Sequence, residues 1–569
     1  MSCYSNEPIC PAELYYDMMS SRTFATRDEI LEQMDYHRRA LIDLAYNLNS
    51  FCSVSRLPDE LLCRIFEDYR DATSKIKPFG FVRISHVCRY WRNLAIRYTP
   101  LWSCIKISKW TRSYLKVEEQ LKRSGTSPLS VEVDMTDVSD KRISCLRTIF
   151  NEFERIQHFD FTFDDLAPVN DLLFAQQAKP SILTSIRLSR HSRDHSDDTD
   201  VSRFPSWSIS YLTKLTTEQF TLRELPYFCR PTVRWFDYTF CDIPSHPIVD
   251  PNLHDLFATL KKMPTLEYVS IYTQMPEDAL TISTPPKSLS LPSLKVLSIS
   301  ESTWNIIHIL DVLTVQLQVL KIHITESKRD PKFDTMISHL ASSMKATLGQ
   351  QCHSIEKETG FNVMGVVCGY HNVSFSAWNA TGLQTSDVLH KFSIPLEQGQ
   401  TAGLTISAPL PPHVTDVKTF SDIIRFTSVR ILNVRDELHY MSVDAATYCW
   451  TGIIASMPNL ETLFLDSQDA QFVATALDKL WEVDEAFRIR KLVLKSRMLH
   501  NTITGDDMIS LHLRRRAEIG IRVEQLVMED FQFADLRSTI DVVVDRIAPY
   551  VGSICVLDRG STCSRYVHI

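Results

Sequence analysis

Apolar positions along the chain follow a helical spacing up to Trp102 and an alternating one beyond it. Ile30, Met34, Leu41, Leu44, Leu48 and Phe51 step by fours and threes, with His37 in the one missing place, as in a coiled-coil seam. Thr26-Arg27-Asp28-Glu29 stands in front with capping-box spacing, so a helix is predicted over 26–53. Such a stripe can dock on the helices that follow or pair with a second copy, and for so short a seam docking within the chain is the expectation. Residues 1–25 show no clear periodicity and are expected to be flexible.

Helical spacing returns at Leu61, Leu62, Ile65, Phe66 and Tyr69, then at Ile84, Val87, Cys88, Trp91, Leu94, Ala95 and Tyr98. Two more amphipathic helices are predicted. Pro58 suits a first helical position, where its missing N–H would be unpaired anyway, and Asp59 with Glu60 puts negative charge at the positive end of the helix dipole. A helical pair this small cannot bury all its apolar surface, so part of it is expected to dock elsewhere.

After Trp102 come short alternating runs, Ile105 with Ile107, Val131 with Val133 and Phe159 with Phe161, separated by helical segments such as Arg142 to Phe153. This is an α/β pattern. From about Leu256 a unit recurs, clearest as Leu266-x-x-Val269-x-Ile271, Leu294-x-x-Leu297-x-Ile299 and Leu460-x-x-Leu463-x-Leu465, each behind a proline. Weaker copies start at Leu317, Val429, Ile489, Val523 and Val551. Positions one, four and six of the unit are apolar and predicted to face the core, so strand alternation sends positions three, five and seven outward.

A change of composition interrupts this pattern over 345–412, which holds half of the chain's 14 glycines. Runs at 363–370, 373–378, 389–396 and 404–410 read as strands with glycine turns, and the segment is expected to be a β-rich satellite outside the stacked units. Its Gly360-x-x-x-x-Gly365 is followed by Val366 and Val367, which excludes a phosphate loop.

Composition narrows the classes. With 44% hydrophobic and 23% charged residues over 569 positions, the chain is globular. A net charge of −8 gives no general attraction to nucleic acid or anionic lipid. The 14 cysteines are scattered, with no Cys-x-x-Cys pair, as small core hydrophobes are in a reducing compartment. No secretory start and no apolar run of membrane length stand in the sequence, so a cytoplasmic or nuclear protein is expected. Two histidines and four aspartates over 191–200 have no scaffold to fix them and read as a solvated loop, not a metal site. No zinc-helix, nucleophile-elbow or dinucleotide motif is present; no catalytic residue, metal or cofactor is expected, and the chain is not expected to be an enzyme.

Three motifs in order carry a resemblance: Leu57-Pro58-x-Glu60-Leu61-Leu62-x-x-Ile65-Phe66, then Val87-Cys88-Arg89-x-Trp91, then Pro100-Leu101-Trp102. Together they resemble the F-box, here over 54–104, the helical module that joins a substrate receptor to an SCF-type ubiquitin ligase. The connection from Arg70 to Val82 is longer and more basic than the family's usual loop. The resemblance implies a Skp-type adaptor as partner, a cullin through it, and Leu57, Pro58, Glu60, Leu61, Ile65, Phe66, Val87, Cys88 and Trp91 as adaptor-binding residues.

The recurring unit resembles leucine-rich repeats in its spacing, although Gln274, Ser302, Glu437 and Gln468 stand where the family closes each turn with asparagine or cysteine. The implied architecture is α/β, a helical F-box followed by an irregular leucine-rich-repeat-like solenoid over 105–344 and 413–569, with the β-rich insertion between. On its outward face Tyr268, Tyr272, Lys321, Arg435, Phe464 and Lys495 make a mixed aromatic and basic surface, the candidate site for a protein client, suited to an acidic or phosphorylated peptide. The layout is similar to that of large F-box families of mushroom-forming fungi. The function implied is a non-catalytic substrate receptor; the alternative is an interaction scaffold that presents no client for ubiquitination.

Overall fold

A capping box fixes where the first helix begins. In the computed structural model, α1 (Arg27–Ser50) starts behind Thr26, whose hydroxyl accepts the Glu29 N–H at 3.3 Å while the Glu29 carboxylate accepts the Thr26 N–H at 3.2 Å. The structure describes residues 26–74, 79–108, 114–136, 138–164, 182–191, 209–240, 253–273, 288–315, 317–325, 339–340, 342–344, 363–368, 372–378, 404–409, 429–436, 451, 453–455, 457–467, 489–495, 508–520, 522–529, 544–557 and 565–568. The chain divides into two compact units, residues 1–134 with 138–156, and residues 135–137 with 157–569. The stretch predicted to be flexible, 1–25, lies outside the described residues.

None of the described side chains of α1 is buried, which overturns its expected docking on the helices that follow. Those helices close their core among themselves. The carbonyl of Pro58 accepts the N–H groups of Leu61 and Leu62, each at 3.1 Å, so this proline sits just outside α2 (Asp59–Ser74) and not in its first turn. The second predicted helix is broken. Gly80–His86 form a 3-10 turn, and α3 (Arg89–Arg97) begins only after Cys88, whose sulfur accepts the Trp91 N–H at 3.4 Å. The break lets Phe81 and Ile84 turn inward beside Leu62, Phe66, Leu94 and Trp102.

Polar atoms in this core are matched. The Trp102 indole donates to the Ala95 carbonyl at 2.7 Å, and the buried Arg70 donates to the Pro100 carbonyl at 2.8 Å, tying α2 to the closing turn. The same unit continues past residue 104. β1 (Cys104–Ile107) and β2 (Leu129–Met135) run parallel, Ile105 opposite Val131, with α4 (Tyr114–Ser124) between them and α5 (Asp140–Phe150) after. From α4 the Arg123 guanidinium lies 4.5 Å from the Trp102 ring centre.

The second unit is built of stacked strands. A first run is parallel throughout: β3 (Ile156–Phe163), β4 (Ser185–Arg190), β5 (Lys214–Glu218), β6 (Trp235–Phe240), β7 (Tyr268–Thr273), β8 (Val296–Glu301) and β9 (Val319–Ile324). The glycine-rich segment supplies β10 (Val363–Cys368), β11 (Asn372–Trp378) and β12 (Leu404–Pro409). A second parallel run follows: β13 (Ile431–Asp436), β14 (Thr462–Ser467), β15 (Lys491–Lys495), β16 (Val523–Glu529) and β17 (Val551–Leu557), with β18 (Arg565–His568) antiparallel on β17. Helices α6 (Leu253–Lys261), α7 (Thr303–Val312) and α8 (Met508–Glu518) precede β7, β9 and β16.

One seven-position unit underlies both runs. Among the described side chains positions one, four and six are buried, for example Leu266, Val269 and Ile271, or Leu460, Leu463 and Leu465. Each such side chain removed from water contributes about 1.5–3 kcal/mol. At position two a backbone carbonyl accepts two N–H groups of the next strand: Thr213 from Arg234 and Trp235, Arg234 from Glu267 and Tyr268, Glu461 from Arg490 and Lys491, all at 2.8–3.0 Å. That junction recurs from Thr184 to Lys295 and from Arg430 to Arg490.

The expectation of a satellite at 345–412 is overturned. β12 runs parallel to β9 with Leu404 opposite Leu320, β12, β11 and β10 pair antiparallel in turn, and β10 runs parallel to β13 with Met364 opposite Leu432. The insertion therefore occupies the sheet between the two runs. The physical reason is at its borders: without it β9 and β13 would each present an unpaired row of N–H and C=O groups. The predicted run at 389–396 lies outside the described residues.

Candidate protein-interaction surfaces

The helical module closes its core yet leaves apolar side chains outside. Of the nine positions predicted to meet an adaptor, Pro58, Glu60, Leu61, Ile65 and Val87 are exposed, Leu61 at 53% and Val87 at 60%. Leu61, Ile65 and Tyr69 follow one another at four-residue steps and share one stripe of α2. Tyr69 is also exposed and is absent from the predicted set, although the same step in the sequence marks it.

Phe66 is a correction. It is 1% exposed and packs on Trp91 with ring centres 5.1 Å apart, because one residue beyond Ile65 is about 100° round the helix and points inward. Leu57 and Trp91 are half-buried against the same core, and the half-buried Cys88 caps α3. These three support the surface from beneath. Two phenols tie the helices together: Tyr90 donates to Asp59, which pushes its hydroxyl up to about 12, and burial beside Glu67, its partner at 2.9 Å, takes Tyr98 up to about 12. Both remain donors at neutral pH.

Residues 54–108 match the family model described as F-box-like. The chain carries an F-box-like domain. No curated protein matches the chain significantly. The exposed Leu61, Ile65, Tyr69 and Val87 thus lie on the F-box, and Leu62, Phe66 and Trp102 form its interior.

The second surface is the outward face of the first strand run. Trp235 and Tyr268, neighbours at position three of β6 and β7, stack with ring centres 3.5 Å apart at 11°, and the Lys214 ammonium lies 4.9 Å from the Trp235 ring. At positions five and seven Arg187 stands 3.8 Å from Asp160 and 3.6 Å from Glu218, which also accepts the Ser189 hydroxyl at 2.8 Å. Tyr272 is exposed and Lys321 half-buried. Burial raises the Asp237 carboxyl between these groups, against a lowering hydrogen bond from Ser270. Burial also raises the Tyr268 phenol, with Asp237 adding to it, and lowers His323. Acids and bases alternate here.

In the second run the same face is closed. Phe464 is 4% exposed and packs with Val493, Val527 and Cys555 against Ile431, which overturns its place among exposed client-binding residues. Alternation correctly turns it away from the inner core, but positions five of β14 to β17 are all apolar in register and make a core of their own. Arg435 and Lys495 occupy outward positions of β13 and β15, paired in the ladder with Asp466 and Glu529; their side chains lie outside the described residues.

Trp235 and Lys214 are functional candidates that the sequence reading passed over. The unit runs through Leu183-x-x-Ile186-x-Leu188, Leu212-x-x-Leu215 and Val233-x-x-Phe236-x-Tyr238, ahead of Leu256, but Thr217 and Tyr238 stand at position six. The 191–200 stretch lies outside the described residues beyond His191. Among the described residues no grouping of His, Cys, Asp and Glu suits a metal ion, and no helix is long and apolar enough to cross a membrane.

Proposed function

We propose that this protein is the substrate-recognition subunit of an SCF-type ubiquitin ligase. One observation carries the reading: an F-box-like domain whose core is complete leaves Leu61, Ile65, Tyr69 and Val87 in solvent. A Skp-type adaptor covering them would recover apolar burial that the module cannot supply for itself, and would link the chain to a cullin. The stacked strands are then an irregular leucine-rich-repeat-like solenoid. Its open first run, with Trp235, Tyr268 and Tyr272, is the client surface. The protein performs no chemistry; it raises the effective concentration of client lysines near a charged conjugating enzyme. It works without metal or cofactor, in the cytoplasm or nucleus, where cysteines stay reduced.

Leu61→Asp with Ile65→Asp tests this on exposed positions, so the fold should be unaffected while capture of a purified Skp-type adaptor falls by more than about a hundredfold, a loss of some 3 kcal/mol. Full adaptor binding by a double variant with an unchanged melting temperature overturns the proposal. A protein that accumulates on proteasome inhibition only when the wild-type chain is expressed separates a receptor from a scaffold.

A further inference from the structure

We propose that α1 pairs with α1 of a second copy of this chain, forming a parallel two-stranded coiled coil ahead of the F-box. The helix has 24 residues, and none of its described side chains is buried. Leu41 is 67% and Leu48 70% exposed, with Met34 and Leu44 close to them. Most of the stability of a helix in a protein comes from packing of its apolar face and not from propensity. The face therefore requires a cover, and the described residues of the chain do not provide one.

The pattern of that face selects a second copy. Met34, Leu41 and Leu48 fall at the first position of a heptad, and Ile30, His37, Leu44 and Phe51 at the fourth, the arrangement in which a helix is complementary to itself. Asp28, Glu29, Glu32, Asp35, Arg39 and Asp43 all fall on the far side. The positions flanking the seam are Leu31, Gln33, Arg38, Ala40, Ala45 and Asn47; Arg38 is the one charge beside it, and Arg27, the first residue of α1, stands at a seam position. Two small alanines let the helices approach.

Charge also chooses the direction. In a parallel pair Arg38 of one copy faces Gln33 of the other and Ala40 faces Ala45. The parallel pair's own like-charge contact, Arg27 against Arg27, falls at the helix end, where these long side chains reach water. An antiparallel pair packs first positions on fourth, Met34 on Leu44 and His37 on Leu41, and sets Arg38 against Arg38 in mid-helix. At about 60–120 Å² of apolar surface per aliphatic side chain, seven seam positions from each helix bury on the order of 1,200 Å², which reaches the range of specific interfaces. In the parallel pair His37 faces its own copy, a polar layer that sets register at a cost in affinity.

Light scattering coupled to size-exclusion chromatography on the full chain tests the pairing. The wild type should elute at twice the chain mass at micromolar concentration. Leu41→Glu with Leu44→Glu should be a monomer with an unchanged melting temperature, since both residues lie outside every core, and His37→Leu should tighten the dimer at least tenfold. In a Cys52→Ser background, which removes the exposed thiol next to the seam, His37→Cys should form an inter-chain disulfide under mild oxidation that His37 itself does not. A monomeric wild type, whether residues 1–25 or another partner cover the stripe, overturns the proposal, as does a dimer that survives the double glutamate variant. A dimer in which His37→Cys does not cross-link overturns the parallel direction.

Discussion

The two strand runs of the second unit share an inner face and differ on the outer one. Position four reads Phe236, Val269, Leu297 in the first run and Leu463, Leu492, Leu526 in the second, all buried alike. Position five reads Asp237, Ser270, Ser298 in the first and Phe464, Val493, Val527 in the second, half-buried and polar against buried and apolar. The same backbone unit is thus a one-sided layer at one end and the middle of two cores at the other. Repetition of the inner pattern specifies the stack, while the outer positions decide separately in each run whether the face meets solvent or more protein.

The strongest way to break the comparison is to remove what joins the runs. Excising 345–412 with a short linker takes out β10 to β12 and opens β9 and β13; the expected outcome is loss of a single cooperative melt and aggregation, followed by calorimetry and light scattering. A soluble variant with wild-type melting would mean that each run is complete alone. Next comes a charge at equivalent positions five. Val493→Asp should cost at least about 3 kcal/mol, because a carboxylate is buried without a partner, and Ser298→Asp should stay within about 0.5 kcal/mol, both read from urea titrations.

Aromatic truncation sharpens the contrast. Phe464→Ala should cost about 3–5 kcal/mol through the cavity it leaves, whereas Trp235→Ala, which loses mainly its stack on Tyr268, should cost about 1 kcal/mol by the same titration. The smallest effect concerns Asp237. Its carboxyl is raised in the fold, so the native state holds the proton more tightly than the unfolded chain, and its contribution is favourable at acid pH and lost as pH rises through the raised value. Asp237→Asn should remove that loss, giving equal or slightly higher stability at pH 7 and a flatter acid limb.

The inner face was legible in the sequence because three apolar positions in seven leave few alternatives, and Leu266, Leu294 and Leu460 all lead strand units as expected. The outer face was not. Parity alone turns Phe464 and Tyr272 the same way, and only register with Val493 and Val527 distinguishes a core from a surface. On the F-box, Leu61 and Ile65 are recognisable from motif and helical stripe together, but Phe66 belongs to the same motif and serves the interior, a division that the order of residues does not reveal. The sheet position of 345–412 was hidden for another reason: pairing partners for β10 and β12 lie on strands distant in sequence, β13 and β9.

Position two of the unit has a consequence for how such a chain can change length across generations. Its side chains alternate in sign along the stack, Arg234 at 3.5 Å from Glu267 and Glu267 at 2.8 Å from Lys295, then Arg430 with Glu461 at 4.0 Å and Arg490 with Glu524 at 3.9 Å. Deleting the Glu461 unit alone would set Arg430 beside Arg490, whereas deleting the Glu461 and Arg490 units together would set Arg430 beside Glu524. Like charges in neighbouring strands are unfavourable, so unequal recombination that adds or drops units in pairs leaves the row intact, and single-unit events carry an electrostatic scar.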